Sequence, residues 1–316
     1  MADRTVTVGP GKIYASLAAA LAGEDGYDCS AATGNSGMLY IDCYAFEDTA
    51  AIAGGTLATG ITTDSNYYVK VRAIDKHDGT YDTSAYRRKV TGTYDITIDA
   101  DKVAHIEFDG IAMDMSSMSA TATGLNTNYA STAHADAFIR YIDCIVAGPG
   151  SGIAAFGIAN SDTPTDIGDG VYAINCIIYG FTNASSVGLR QNSGAAIYAY
   201  NCTIDDCTLG IDVGAGGTIR LKNSRVTACT TVADGALHAD SDYNLTDGTA
   251  PTNWGTNSLD STDTPTIDYV DDSNATLTSR DYHLASASDS GVGAGQDLSS
   301  DSDYSFSTDI DGDTRG

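Results

Sequence analysis

The 316-residue sequence predicts an all-β solenoid fold, and three observations support it. One short phrase occurs three times, as AINCII, AYNCTI and LKNSRV. Ile, Val, Tyr and Thr dominate such units, whereas Gly, Asn, Asp and Ser separate them, as is typical of strands and turns. An Asn or Asp recurs at intervals of 34, 32, 26 and 22 residues, at Asp109, Asp143, Asn175, Asn201 and Asn223. Repeats of this length indicate stacking, because one short unit cannot bury its own apolar face.

The repeated phrase also predicts which side chains stack on one another. Asn should lie over Asn, where side-chain amides can bridge neighbouring coils. Cys144, Cys176 and Cys202 should point inward one above the next, and Cys43 is assigned to the same position. We expect all four to act as small buried apolar residues rather than disulfide partners.

At these residues the chain resembles the right-handed parallel β-helix proteins, the pectate-lyase-like superfamily in its broad sense. The Asn-Cys-x-Ile phrase carries the resemblance, together with Asn201-Cys-Thr-Ile followed by Gly210-Ile211. The resemblance implies a right-handed parallel β-helix over most of the chain. It implies no particular activity, because one fold hosts many functions.

This prediction divides the chain into three segments. Residues 1–30 form an arm and an N-terminal capping helix, in which Ile13, Leu17 and Leu21 share one face. Residues 31–245 form the coils, with long excursions at 75–88 and 113–138. Residues 246–316 form an irregular C-terminal cap, which resembles the closing segment of many β-helix proteins.

Charge and targeting signals restrict the partners. With 42 Asp and Glu against 16 Lys and Arg, the net charge of −26 argues against nucleic acid and anionic membranes. No stretch approaches the roughly 20 apolar residues of a membrane span. The segment around Ile13 could be mistaken for a signal peptide, but Asp3 and Gly9-Pro10 argue against that interpretation.

Two kinds of polysaccharide chemistry have partial matches in the sequence. Asp205 and Asp206, followed one coil later by Arg220 and Lys222, resemble part of the pectin-hydrolase set, but its Gly-His-Gly motif is missing. Two carboxylates flanking a glycosidic bond could act as acid and base. A lyase would need a basic group beside acidic calcium ligands; the candidates are Arg190, Arg225, Asp212 and Asp234. We expect neither chemistry and assign no catalytic residue.

Metal and cofactor sites are not expected either. His134 and Asp136, like His238 and Asp240, form His-x-Asp phrases, but neither pair has an evident third ligand. The Asp309-x-Asp-x-Asp313 spacing begins like a calcium loop, but the chain ends before the bidentate acid that completes one.

These observations together predict a non-catalytic structural component of a bacteriophage particle, as a capsid-decorating or tail-associated protein. The chain looks like the β-helix proteins of tailed phages, which are made in the host cytoplasm and need no signal peptide. The expected partner is a virion protein such as a major capsid protein, with self-association and a surface glycan as further possibilities. The alternatives are a host-glycan-binding adhesin and a polysaccharide lyase or hydrolase.

The distribution of basic residues predicts how such a particle would be bound. Nine of the sixteen Lys and Arg residues lie within the first 102 positions. Because capsid surfaces are commonly acidic, the N-terminal third is expected to face the partner. The predicted partner-binding residues are Arg4, Lys12, Lys76, Arg87 and Arg88.

Overall fold

A computed structural model describes most of the chain. The described residues are 3–32, 34–50, 56–57, 60–91, 96–99, 104–128, 137–161, 170–192, 196–302, 304–308 and 310. The candidate pair His134–Asp136 and the candidate ligands at 309, 311 and 313 therefore lie outside the described residues.

The described elements are one α-helix, α1, a 3₁₀ helix at Leu277–Ser279, and 25 strands. In chain order they are β1 Arg4–Val8, α1 Leu17–Gly23, β2 Leu39–Cys43, β3 Glu47–Asp48, β4 Thr56–Leu57, β5 Val69–Ala73, β6 Arg87–Lys89, β7 Ile96–Asp99, β8 His105–Asp109, β9 Ala112–Asp114, β10 Ala122–Asn128, β11 Phe138–Ile142, β12 Ile145–Ala147, β13 Ala155–Asn160, β14 Gly170–Ile174, β15 Ile177–Phe181, β16 Val187–Gln191, β17 Ala196–Tyr200, β18 Thr203–Cys207, β19 Leu209–Val213, β20 Thr218–Lys222, β21 Arg225–Thr227, β22 Thr231–Asp234, β23 Leu245–Thr246, β24 Tyr269–Asp271 and β25 Asp281–Leu284.

The strands form three long parallel sheets, which every regular coil crosses in turn. The first sheet is ordered β1-β2-β5-β8-β11-β14-β17-β20, and the second is β3-β6-β9-β12-β15-β18-β21-β23. The third sheet is β4-β7-β10-β13-β16-β19-β22. Every neighbour pair within these sheets is parallel and one coil apart in sequence, as in β14–β17 and β15–β18. The chain is therefore a right-handed parallel β-helix, as the sequence predicts.

The interior is narrow, and a row of glycines in the third sheet shows how narrow. Gly124, Gly157, Gly188 and Gly210 follow one another in register. A Cβ on Gly157 would lie 2.5 Å from the Ile178 Cγ2 of the second sheet. Large β-branched side chains of one sheet thus fill the space that glycines leave in another, which gives close packing across the coil.

The corner between the first and second sheets carries the predicted asparagine ladder. Asp143, Asn175, Asn201 and Asn223 occupy it with φ between 51° and 54°, a left-handed conformation that Asn and Asp tolerate. Asp109 is not part of this row, because it pairs with Ile142. Gly110, with φ 75°, holds the corner position of that coil instead. The prediction for Asp109 is wrong by one residue, because the corner requires a backbone angle rather than an acid.

The cysteine ladder is confirmed for three residues. Cys144, Cys176 and Cys202 directly follow the ladder residues, are fully buried and belong to the main core cluster. The registers Ile145↔Ile177 and Ile177↔Thr203 place their thiols on successive coils. Cys43 is buried but pairs with Ala73 in the first sheet, so its assignment to this row is wrong by one position.

The N-terminal helix is shorter than predicted. Ser16 caps it, with the Ala19 N–H donating to the Ser16 Oγ at 3.1 Å. Leu17, Ala20 and Leu21 are buried against the first coils, whereas Ile13 precedes the helix and is 65% exposed. The predicted apolar face is thus correct for Leu17 and Leu21 and wrong for Ile13. Among the described residues no helix is long and apolar enough to cross a membrane.

The two predicted excursions differ from the structure. The segment at 75–88 does leave the coil, but it re-enters the second sheet at Arg87, the first residue of β6. The prediction for 113–138 is wrong for its described part, since β9 and β10 lie there in two sheets. Met113, Met115 and Met118 are buried core residues of this coil. Their spacing carries no clear strand pattern, which explains why the coil resembled a loop.

Candidate functional site

Only the first part of the chain after the last coil closes the end of the β-helix as a cap. Residues 246–263 continue around the end, where Leu259 bridges to Leu245 and Trp254 is buried. Residues 264–302, 304–308 and 310, which we call the C-terminal segment, fold back along the outside of the rod. The antiparallel hairpin β24–β25 covers the second sheet, and Leu298 packs on the first sheet. The predicted C-terminal cap is therefore correct only for residues 246–263.

Three ion pairs hold the C-terminal segment against the coils. The Arg225 guanidinium binds both carboxylate oxygens of Asp289, one of them at 3.0 Å. The Lys222 Nζ contacts Asp301 Oδ2 at 2.5 Å, and Arg280 contacts Asp206 Oδ2 at 2.8 Å. The side chain of Asn223 adds two hydrogen bonds to the backbone of Gln296, at 2.7 and 2.8 Å.

A groove of about 550 Å³ lies between the C-terminal segment and the ladder corner. This volume is in the range of ordinary small-molecule sites. Its floor is formed by coil residues, among them Asn175, Asn201, Asn223, Thr203 and Arg225. Its opposite wall includes Tyr269, Tyr282, His283 and Gln296. The groove thus combines amides, hydroxyl groups, aromatic rings and one guanidinium.

The floor of the groove is a rigid hydrogen-bonded row. The Asn201 Nδ2 donates to the Asn175 Oδ1 at 3.1 Å, and the Asn175 Nδ2 donates to the Asp143 Oδ1 at 3.0 Å. The Asp143 Oδ2 accepts from the Lys76 Nζ at 3.0 Å. Because each amide is fixed by the next coil, the floor presents its polar atoms at the regular spacing of the strands, about 4.8 Å.

The hydrolase candidate Asp205 lies beneath the hairpin and not in an open cleft. Its Oδ1 accepts from the Thr227 hydroxyl at 2.6 Å, and its Oδ2 accepts from the Tyr282 hydroxyl at 3.0 Å. Asp205 is 1% exposed, and burial raises the pKa of its carboxyl to about 6. One oxygen thus binds the neighbouring coil and the other binds the hairpin, so neither is open to a glycosidic bond.

The other catalytic candidates also have internal partners. Asp206 pairs with Arg280, and Lys222 pairs with Asp301. Arg220 contacts Asp240 at 3.1 Å, and Arg190 contacts Asp212 at 3.3 Å. The structure thus does not bring Asp205, Arg220 and Lys222 together in one exposed cleft. The expectation that the chain is not an enzyme stays a prediction.

The metal candidates within the described residues are surface groups. His238 Nδ1 lies 3.5 Å from Asp240 Oδ2, with side chains 35% and 61% exposed. His283 forms a similar contact with Asp281, at 2.5 Å. Among the described residues, no group of three or more His, Cys, Asp or Glu side chains is arranged to hold a metal ion.

The predicted partner-binding residues are mostly engaged within the chain. Arg88 is 1% exposed and contacts Asp48 at 3.1 Å, so its assignment to a docking surface is wrong. Arg4 pairs with Glu24 at 2.6 Å, and Arg87 approaches Glu47 at 3.7 Å.

Lys76 and Lys12, the other two predicted partner-binding residues, also have contacts within the chain. Lys76 binds Asp143 at 3.0 Å and also contacts Asp109. Lys12 lies over the Tyr44 ring at 3.6 Å from its centroid. The N-terminal third therefore offers less positive charge to a partner than its number of Lys and Arg residues indicates.

The wall of the groove was missed at the sequence level. Tyr282 and His283 belong to the phrase Arg280-Asp-Tyr-His-Leu284, which the sequence places in a cap. The signal that could have found the hairpin is the pair of short alternating runs at Tyr269–Asp271 and Asp281–Leu284, which lack the ladder phrase.

Comparison with known proteins adds little to this geometry. No family model and no curated protein matches the chain. Among solved structures, it is similar to a pectin methylesterase from Aspergillus niger, at 14% identity, with 90% of this chain and 91% of that chain covered and a TM-score of 0.30. That TM-score supports no argument about function, and the fold rests on the strand register described above.

Proposed function

We propose that this chain is a non-catalytic glycan-binding rod that holds an oligosaccharide in the groove between the ladder corner and the C-terminal segment. The observation that carries the proposal is the lining of the groove. Amide and hydroxyl groups of the coils face the aromatic side chains Tyr269 and Tyr282, with His283 beside them. Sugars present hydroxyl groups at their edges and apolar C–H groups on their faces, so they match a site of mixed polar and aromatic character.

The charge of the protein favours a neutral ligand. Among the described residues that line the groove, Arg225 is the only Arg or Lys, and Asp289 already neutralises it. An acidic polysaccharide would also have to approach a chain of net charge −26. We therefore expect neutral oligosaccharides to bind more tightly than uronic-acid oligomers of equal length.

A matched pair of histidine variants tests the site. His283 lines the groove and is 36% exposed, whereas His238 is 35% exposed and does not line it. Each pairs with an aspartate two residues away. His283→Ala should weaken glycan binding by roughly fivefold, the value of one hydrogen bond of about 1 kcal/mol. His238→Ala should leave binding unchanged.

Binding would be measured first on a panel of linear neutral and acidic oligosaccharides and then by calorimetry on the best ligand. The proposal fails if no member of the panel binds, or if both histidine variants weaken binding equally. Release of a cleaved product that is lost in Asp205→Ala would favour the hydrolase alternative.

Attachment to a bacteriophage particle is a separate proposal, and its support is the charge asymmetry of the sequence. Arg4 and Lys12 are its best remaining contacts, since Arg88 is buried. Co-sedimentation of the protein with particles would test it directly, with a capsid protein as the expected partner. A glycan-binding rod carried by a particle would satisfy both proposals, but either can fail alone.

A further inference from the structure

Two of the seven cysteines, Cys207 and Cys229, face each other outside the cysteine ladder. The register of β18 and β21 pairs Asp205 with Thr227, which places Cys207 opposite Cys229 on the next coil. The Thr230 N–H donates to the Cys207 carbonyl oxygen at 3.0 Å and fixes this alignment. Neighbouring strands lie about 4.8 Å apart, and the Cα atoms of a disulfide are separated by about 4.4–6.8 Å.

The thiols of this pair point the same way. The Cys207 Sγ lies 3.1 Å from the place where a Cβ on Gly188 would sit, and the Cys229 Sγ lies 3.2 Å from the corresponding place on Gly210. Gly188 and Gly210 are themselves neighbours in the third sheet. Both thiols therefore enter the same interior corner one coil apart, and the Cys207 thiol donates to the Asp205 carbonyl oxygen at 3.2 Å.

The solvent exposure of one thiol distinguishes this pair from the cysteine ladder. Cys229 is only partly buried, whereas the three ladder cysteines are fully buried. A dissolved oxidant can thus reach Cys229 first, and Cys207 is the nearest thiol to resolve the product. Burial raises the pKa of the Cys207 thiol, so it reacts second and not as the initial nucleophile.

We propose that Cys207 and Cys229 form a reversible disulfide when the protein meets a low-molecular-weight disulfide such as oxidised glutathione. The Cys229 thiolate attacks the glutathione disulfide, whose S–S bond breaks and releases one glutathione thiolate. Cys207 then loses its proton, attacks the mixed disulfide at the Cys229 sulfur and releases the second glutathione. The two protein thiols are oxidised, and one glutathione disulfide is reduced to two thiols.

The location gives this bond a structural consequence. Asp205 and Asp206, which bind the hairpin, immediately precede Cys207, and Thr227 lies two residues before Cys229. The disulfide would therefore join the two coils that anchor the C-terminal segment. It would close a loop of 22 residues and add a covalent cross-link between coils that hydrogen bonds and core packing already hold together.

Thiol counting tests the proposal on the intact chain. After incubation of the folded protein with oxidised glutathione, free thiols in denaturant should fall from seven to five. Peptide mapping should show a Cys207–Cys229 linkage, and a reductant should restore all seven thiols. The variant Cys229→Ser should lose no thiol, whereas the control Cys176→Ser, which also lacks one cysteine, should still lose two.

Thermal unfolding is a second measurement, and it tests the proposal on the wild-type protein even if a variant fails to fold. The oxidised wild-type protein should unfold at a higher temperature than the reduced protein, and Cys229→Ser should show no such difference. Seven free thiols after oxidation, a glutathione adduct on Cys229 with Cys207 free, or a disulfide within the cysteine ladder would each overturn the proposal.

Discussion

The buried carboxyl of Asp205 should make the attachment of the hairpin depend on pH. Burial raises its pKa from the ordinary 3.8 to about 6, so the native chain binds its proton more tightly than the unfolded chain does. The native state is then favoured most below pH 3.8, and this contribution is lost as the pH rises towards 6. Between pH 4.5 and 7.5 the loss amounts to about 2 kcal/mol.

The variant Asp205→Asn isolates this effect. Asparagine keeps the shape of the protonated acid but has no charge to gain. The free energy of unfolding in urea should be measured by circular dichroism for both proteins at several pH values in that window. The wild-type value minus the variant value should fall by about 2 kcal/mol as the pH rises, because all other titrating groups cancel. A difference that does not change with pH would refute the reasoning.

Two further predictions concern the core and the N-terminal surface. Gly157→Ala should lower stability by about 1–3 kcal/mol, because its Cβ would lie 2.5 Å from the Gly188 carbonyl oxygen, whereas Gly152→Ala, with no atom within 4 Å, should be neutral in thermal unfolding. Changing Lys12, whose ammonium lies over the Tyr44 ring, to Glu should reduce co-sedimentation with phage particles and leave the fold intact, and unchanged binding would reject the predicted docking surface.

The fold was predictable because its repeat is carried by residues with a clear physical role. An Asn at a left-handed corner followed by a small inward Cys marks one coil, and Asn175-Cys176 and Asn201-Cys202 mark two in succession. Where another residue type adopts the left-handed conformation at the corner, the recurring Asn or Asp no longer marks the corner position. Gly110 takes the corner without an acid, so Asp109 was placed one residue out of register.

Side-chain direction was harder to predict than strand position. Ile177 lies on the outer face of the second sheet, among the residues that the hairpin covers, whereas Ile178 faces the main core. Both are buried, and the sequence presents them as equivalent apolar neighbours in one strand. The sequence does not separate them, because a covered outer face looks like a core: both faces of β15 are apolar.

The groove could not be predicted, because its two sides lie far apart in sequence. Arg225 and Asp289 are 64 residues apart, and Asp205 and Tyr282 are 77 residues apart. The repeat gives the position of each coil relative to the next, but it contains no information about a segment that leaves the coils. Ion pairs and apolar contacts hold the C-terminal segment on the coils, and single acidic residues in a sequence with 42 of them do not identify their partners.

The two sides of the groove should contribute differently to ligand choice. The floor repeats the same amide on successive coils, and its hydrogen bonds to neighbouring coils are needed for the fold itself. Changes there would disturb the rod before they altered selectivity. The wall formed by Tyr269, Tyr282 and His283 has no such constraint from the repeat, since it belongs to a separate hairpin. Under the proposed glycan binding, selectivity should therefore depend on the C-terminal segment, while the regular floor should supply contacts that any extended neutral sugar chain can share.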